Sequence, residues 1–202
     1  MEAFETLISI LLRHDGYWTT PNFKVNLTKE DKHRIGRPTS PRWELDVVAY
    51  KGSTNEVLAV ECKSFLDSTG VIFRDGTFEP ENRYKLFTDG RLRSVVLKRL
   101  AKQLQAIGAC ARSPRIKLCL AAGNVARKSD SKGLSRHFTS KNWLLIDSDW
   151  VCERLRMASQ RSYENDVAFV VSKFLTRSDC VLTQGGDAVR RYGRSTPHRT
   201  SG

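Results

Sequence analysis

The sequence predicts an α/β fold, a mixed β-sheet flanked by helices in the order αβββαβ, followed by an extra strand and C-terminal helices. Three observations predict it. Apolar stripes of helical period open the chain and recur near its middle, strand patterns of period two lie between them, and turn residues separate the segments. The first helix is expected over residues 2–14, with Phe4, Leu7, Ile8, Leu11 and Leu12 as its buried stripe and Asp15-Gly16 as its stop. A strand follows at 22–27, where Phe23, Val25 and Leu27 alternate with polar residues. Residues 28–42, TKEDKHRIGRPTSPR, hold five cations, two acids and two prolines and read as a connecting loop. The two strongest strand patterns come next, WELDVVAY at 43–50 and EVLAVECK at 56–63, joined by a turn of hairpin length.

Residues 66–90 read as an insertion containing a small hairpin that turns at Asp75-Gly76. A long helix is expected from 91 to 111, with Leu97, Leu100, Leu104 and Ile107 in its stripe, and then a strand at 116–121. A Lys-, Ser- and Gly-rich loop is expected up to residue 141, with a further strand at 143–146. Asp147 or Ser148 can cap a helix ending near 158, and Ser162 a last helix ending near 176. Residues 1–176 thus form one domain, and 177–202 read as a loose basic tail.

Composition narrows the function classes. The chain has 202 residues, 40% apolar and 28% charged, which excludes global disorder. Its 34 Lys and Arg against 22 Asp and Glu give a net charge of +12, a field that attracts polyanions. No apolar run approaches the ~20 residues that cross a bilayer, and the acidic, amphipathic N-terminus lacks the features of a signal peptide. Five cysteines are scattered without metal-ligand spacing; all but Cys180 lie in apolar or periodic segments. Buried free thiols in a reducing cytoplasm are the expectation.

The chemistry concentrates on the central hairpin. Alternation puts Glu44 and Asp46 on one side of the first strand, with Trp43, Leu45, Val47 and Ala49 on the other. In the second, Glu61 and Lys63 share a face. Pairing the strands would gather Asp46, Glu61 and Lys63 at one place. Converging carboxylates repel one another and lose hydration, so a neutralising partner is required. Hard oxygen ligands suit Mg²⁺ or Mn²⁺, and Lys63 is placed to orient or deprotonate a water attacking a phosphodiester. The plain competing reading is a cross-strand ion pair between Asp46 and Lys63.

Leu45-Asp46-Val47-Val48 followed by Leu58-Ala59-Val60-Glu61-Cys62-Lys63 resembles the PD-(D/E)XK nuclease superfamily, which includes many restriction endonucleases and archaeal Holliday-junction resolvases. The helix–three strands–helix–strand order of residues 2–121 is also similar to that family's core; Leu45 stands where the proline that names the motif would be. The resemblance implies a restriction-endonuclease-like core and a Mg²⁺-dependent (or Mn²⁺-dependent) DNA endonuclease of restriction or repair type. It assigns Asp46, Glu61 and the backbone carbonyl of Cys62 to the metal, and Lys63 to the water. It also implies a Glu on the first helix, matched by Glu5, and a Gln on the helix after the motif, matched by Gln103. Each has a plainer reading: Glu5 as a first-turn acid that favours the helix dipole, Gln103 as a boundary glutamine. Arg34, Arg37, Arg42, Arg99 and Lys102 are the candidate phosphate contacts, in two basic zones of the sequence. Glu44 is either an extra carboxylate or a partner for Arg42. His33 and His137 lack ligand spacing and receive no role. Cutting two strands favours a homodimer. Two rivals stand beside the nuclease: a non-catalytic nucleic-acid-binding subunit of the same fold, and a basic structural protein that docks RNA.

Overall fold

The computed structural model describes residues 2–39 and 42–177, so all of the expected tail but Arg177 lies outside the described residues. The elements are α1 (Ala3–His14), β1 (Trp18–Asn26), α2 (Lys29–Arg34), β2 (Arg42–Lys51), β3 (Glu56–Lys63), β4 (Ile72–Arg74), β5 (Thr77–Glu79), α3 (Lys85–Thr88), α4 (Gly90–Ala106), β6 (Arg115–Ala122), α5 (Lys128–Ser140), β7 (Leu144–Ile146), α6 (Ser148–Gln160) and α7 (Val167–Arg177). One mixed sheet runs in the order β1-β2-β3-β6-β7. Its first three strands are antiparallel neighbours, whereas β6 is parallel to both β3 and β7. The small β4–β5 hairpin turns at Asp75-Gly76 as the sequence implies.

Two apolar layers cover the sheet. On one face Leu92, Val95, Val96, Leu100 and Leu104 of α4 meet Val25, Leu45, Val57 and Leu118, with Phe73, Phe78, Phe87 and Phe138 beside them. On the other, Phe4, Ile8, Leu11 and Leu12 of α1 meet Val47, Leu58, Val60 and Cys119. The stripe of α1 and the alternation of β3 lie as read, because each has a sheet face to cover, whereas Ile107, expected in the buried stripe of α4, lies past the helix end and is exposed. Among the described residues no helix is long and apolar enough to cross a membrane.

The largest departure from simple alternation lies in β2. Trp43 and Leu45 pack on the α4 side, but Val47 and Ala49 pack on the α1 side, so these four residues do not share a face. The switch falls at Asp46. Across the β1–β2 pair, Pro21 faces Val47 and Phe23 faces Leu45, which leaves Asn22 opposite Asp46; Asn22 has φ +50°. A left-handed residue rotates the pleat locally, and asparagine tolerates it better than most.

Other expectations change at the edges. β1 begins at Trp18, before the alternating run, because it pairs with β2 along its whole length. The basic segment 28–42 holds α2, whose cap is Thr28 accepting from the Asp31 amide at 3.2 Å. The Ser-rich stretch 128–140 is helix α5, held by only Leu134 and Phe138 as buried apolar anchors. Helix α4 ends at Ala106 rather than 111, and α7 starts at Val167, with Asp166 rather than Ser162 accepting the Ala168 amide at 3.0 Å. Of the described cysteines only Cys119 is buried; Cys62 and Cys110 are partly covered and Cys152 is exposed, while Cys180 lies outside the described residues.

Candidate active site

The β2–β3 hairpin is tightly paired from Lys51↔Glu56 to Val47↔Val60 and then stops. One register step further stand Asp46 and Glu61. Instead of a backbone carbonyl, the Cys62 amide finds the Asp46 carboxylate, Oδ2 at 2.6 Å. The strands thus part at the point where the acids lie. Lys63 donates to Glu61 Oε2 at 3.3 Å. Glu61 is nearly covered, its side chain retaining 14% of its exposure. Burial pushes its carboxyl above the ordinary range, Lys63 pulls it back, and the neighbouring Asp46 charge raises it again; the net direction is up. The three residues that the hairpin was expected to gather are therefore neighbours. The bland alternative, an Asp46–Lys63 pair, is replaced by a Glu61–Lys63 contact and an Asp46–backbone bond.

A second buried acid on the same strand shows what a structural carboxylate looks like in this protein. Glu56, at the opposite end of β3, accepts from the Tyr17 hydroxyl at 2.9 Å and pairs with Lys117 at 3.1 Å and Arg115 at 3.3 Å. Burial would raise it, but these partners outweigh burial and hold its carboxyl below the usual value. Glu61 has one cation and a like charge, and its carboxyl moves the other way. Poorly compensated acids in a partly open setting mark functional positions more often than satisfied ones do.

Glu5 takes its plainer role and stays near the site. Its Oε2 accepts the Glu2 amide at 3.1 Å, half of a capping box at the start of α1. Its charge also reaches Cys62, whose thiol is pushed up by burial first and by Asp46 and Glu5 among the charges. Glu44 is exposed and accepts from Asn22 Nδ2 at 3.4 Å, with no part in the carboxylate cluster. Among the described residues no group of three or more His, Cys, Asp or Glu could hold a metal ion. What the structure brings together at the parted strands is two carboxylates, Asp46 and Glu61, with the Lys63 ammonium beside Glu61. Oxygen donors of this kind are the chemistry that Mg²⁺ takes, usually keeping several waters, rather than that of a metal held in an all-protein cage.

The structure gives Gln103 a different task from the one the resemblance implied. Its Oε1 accepts the Asn26 amide at 3.0 Å and its Nε2 donates to the Lys24 carbonyl at 3.0 Å, so both ends of the amide clamp edge strand β1 to α4. Arg99, one turn earlier, pairs with Asp31 and donates to Thr28 Oγ1 at 3.0 Å, docking α2. Burial opposes the Asp31 charge, but the bonds from Arg99 and Thr28 prevail and hold its carboxyl low. Asp31 and Thr28 escaped the sequence reading as anchors; the Thr28-x-x-Asp31 capping pattern was the available signal. Gln103→Ala should lower stability by about 1–2 kcal/mol, the worth of two partly exposed hydrogen bonds. Melting curves of the variant beside the parent would check it.

These bonds also join the two basic zones. Arg34 is exposed at the end of α2, Arg37 lies over the Trp43 ring at 5.2 Å, Arg42 opens β2, and Lys102 is exposed on α4. Lys24 and Asn26 pair with Glu44 and Arg42, so the cations of α2 and α4 stand at the end of the sheet where β2 and β3 part. The class that fold and site define is an α/β protein with a mixed five-stranded sheet flanked by helices and an acidic–basic cluster at one sheet end. No protein-family model, curated protein or solved structure matches the chain.

Proposed function

We propose that this chain is a divalent-metal-dependent DNA endonuclease with a restriction-endonuclease-like core, of restriction or repair type. The observation that carries the reading is the cluster of Asp46, Glu61 and Lys63 where β2 and β3 separate. Asp46, Glu61 and the Cys62 carbonyl would hold Mg²⁺ or Mn²⁺. When bound, the ion would supply Lewis-acid stabilisation of charge developing on the phosphate. Lys63 keeps a cation beside Glu61, within reach of a water or a phosphate oxygen at the same place. The Cys62 amide holds Asp46 in position, so that carboxylate is oriented before any ligand arrives. Arg34, Arg37, Arg42 and Lys102 provide positive charge for the DNA backbone at the same sheet end, while Arg99 acts through α2. A net charge of +12 supports a polyanionic substrate. A reducing, cytoplasmic setting and a homodimer that cuts both strands complete the proposal.

Supercoiled plasmid, linear duplex and branched DNA incubated with the protein in Mg²⁺, Mn²⁺ or EDTA test it. Cleavage is expected with metal only. Asp46→Ala and Lys63→Ala should each lower it on the order of 10²–10⁴-fold with the fold intact. Variants that cut as well as the parent overturn the assignment. Salt-sensitive binding with no cleavage in any metal would instead identify a binding subunit.

A further inference from the structure

A cleft of about 320 Å³ opens between the β4–β5 turn and the first turn of α5, lined by Phe73, Arg74, Arg127, Ser129 and Asp130 among others. Asp130 is 3% exposed, yet only one of its oxygens is satisfied: Oδ1 accepts from Ser129 Oγ at 3.1 Å. Oδ2 is buried without a hydrogen-bond partner. Arg74 Nε forms an ion pair with it at 3.8 Å, too long for a hydrogen bond, and is itself buried without a hydrogen-bond partner. The other end of that guanidinium turns to Glu79 at 3.7 Å. An acceptor and a donor thus sit side by side at one cleft as a loose ion pair, both desolvated and neither hydrogen-bonded. Buried polar atoms of this kind are rare in folded proteins and ask for a partner.

The pair restricts what that partner can be. A metal cation would suit Asp130 but meet the charges of Arg74 and Arg127. A phosphate would suit the arginines but meet Asp130. A neutral group with an adjacent N–H and acceptor satisfies both, and the edge of a nucleobase is such a group. Guanine fits best: its N1–H and N2–H face a carboxylate, and its O6 accepts from arginine. The volume lies at the lower end of ligand pockets, roughly 300–1,000 Å³, as a single base requires.

The cleft also lies at the right end of the sheet. Gly123 donates to the Lys63 carbonyl at 2.9 Å, and Val71 exchanges bonds of 2.9 Å with Asn124 and Ala126. These contacts tie the approach to β4 and the approach to α5 to the carboxyl ends of β3 and β6. Glu61 and Lys63 stand at that same end, and parallel strands commonly bind ligands there.

We propose that this cleft binds an unpaired nucleobase, guanine above all, presented by the nucleic acid; the choice of a base rests on the nucleic-acid reading above. The full chain in EDTA is titrated with dGMP, dAMP, dCMP and TMP by calorimetry. Binding of dGMP is expected, weakened roughly tenfold or more by Asp130→Asn and by Arg74→Gln, and unchanged by Lys98→Gln at an exposed position of α4. If Asp130→Asn fails to fold, hydrogen exchange of the parent decides: dGMP should slow amides in 72–79 and 128–134. Absence of deoxynucleotide binding at millimolar concentration, equal affinity in the Asp130 and Arg74 variants, or unchanged exchange in those segments overturns the proposal. Because no metal is present, the outcome is independent of cleavage. A chain that binds dGMP but cuts nothing fails the nuclease reading alone, and one that cuts but binds no base fails this proposal alone.

Discussion

Glu61→Gln is expected to abolish metal-dependent cleavage and, in metal-free buffer near neutral pH, to raise the melting temperature by roughly 2–4 °C. The two effects share one cause. Burial and the Asp46 charge outweigh the attraction of Lys63, so the folded protein holds the Glu61 carboxyl above its ordinary value of 4.5. A group of that kind favours the folded state while the pH is below its ordinary value. The contribution is lost as pH rises through the raised value, because the folded state then carries a charge that it solvates poorly. At neutral pH glutamine removes the charge, preserves the shape and still offers an oxygen to Lys63. The parent should therefore lose stability between its ordinary and raised values, and the variant should lack that step. Under the proposed metal site, Mg²⁺ should reverse the order. A ligand that binds only the folded state stabilises it by about 2.7 kcal/mol at 100 times its dissociation constant. The parent should gain that increment and Glu61→Gln should not. Thermal melts across pH, with Mg²⁺ and with EDTA, read both effects without a cleavage assay. A variant less stable than the parent in EDTA, with the same pH profile, would make Glu61 an ordinary structural partner of Lys63.

Much of this site was legible because its elements obey the two simple periods. The apolar stripe of α1, the alternation in β3 and the stripe of α4 each have one sheet face to cover, so pattern and position agree. Glu61 and Lys63 follow Val57 and Ala59 in that alternation and emerge together. Asp46 was legible as a residue but not as a geometry. Extending the period through WELDVVAY assigned Leu45 and Val47 to one face, whereas the turn of the pleat opposite Asn22 separates them. That turn depends on a partner strand and has no signature within β2. Helices α2 and α5 were hidden for another reason. α2 buries no side chain of its own and is held by a Thr28–Asp31 cap and by Arg99 from sixty-odd residues away. α5 carries a glycine and several serines; of its anchors, Phe138 meets the rings of Phe78 and Phe87, and Leu134 joins the same buried cluster. Tertiary contacts override weak local propensity in both. Gln103 shows the limit of resemblance: its position on α4 was read correctly, but only the structure reveals which backbone groups its amide holds.

Gly123→Ala should be among the most damaging single-methyl changes in the chain, costing about 3 kcal/mol and lowering the melting temperature by roughly 6–12 °C. The reason lies where two strands leave the sheet together. Gly123 follows β6 and donates to the Lys63 carbonyl at 2.9 Å, so the exits of β3 and β6 run against each other. A Cβ at Gly123 would lie 2.2 Å from the Ser64 carbonyl oxygen and 3.1 Å from Leu66 Cδ2. The first of these is backbone and cannot rotate away. Relief requires residues 63–66 to shift, and that segment already contains Phe65 at φ +43°, a conformation that leaves a bulky residue little room to adjust. Since Lys63 is its first residue, the shift would also move the ammonium that stands beside Glu61. Cleavage per folded molecule should fall together with stability, unlike in Gln103→Ala, where stability alone should move. Gly52→Ala serves as the control: its nearest contact would be Tyr50 Cε1 at 3.9 Å, an ordinary distance, and its φ lies outside the left-handed region. That substitution should change the melting temperature by no more than about 2 °C. A Gly123→Ala protein that melts and cuts like the control would mean that the two strand exits are not packed against each other, and that Lys63 is positioned by its own strand alone.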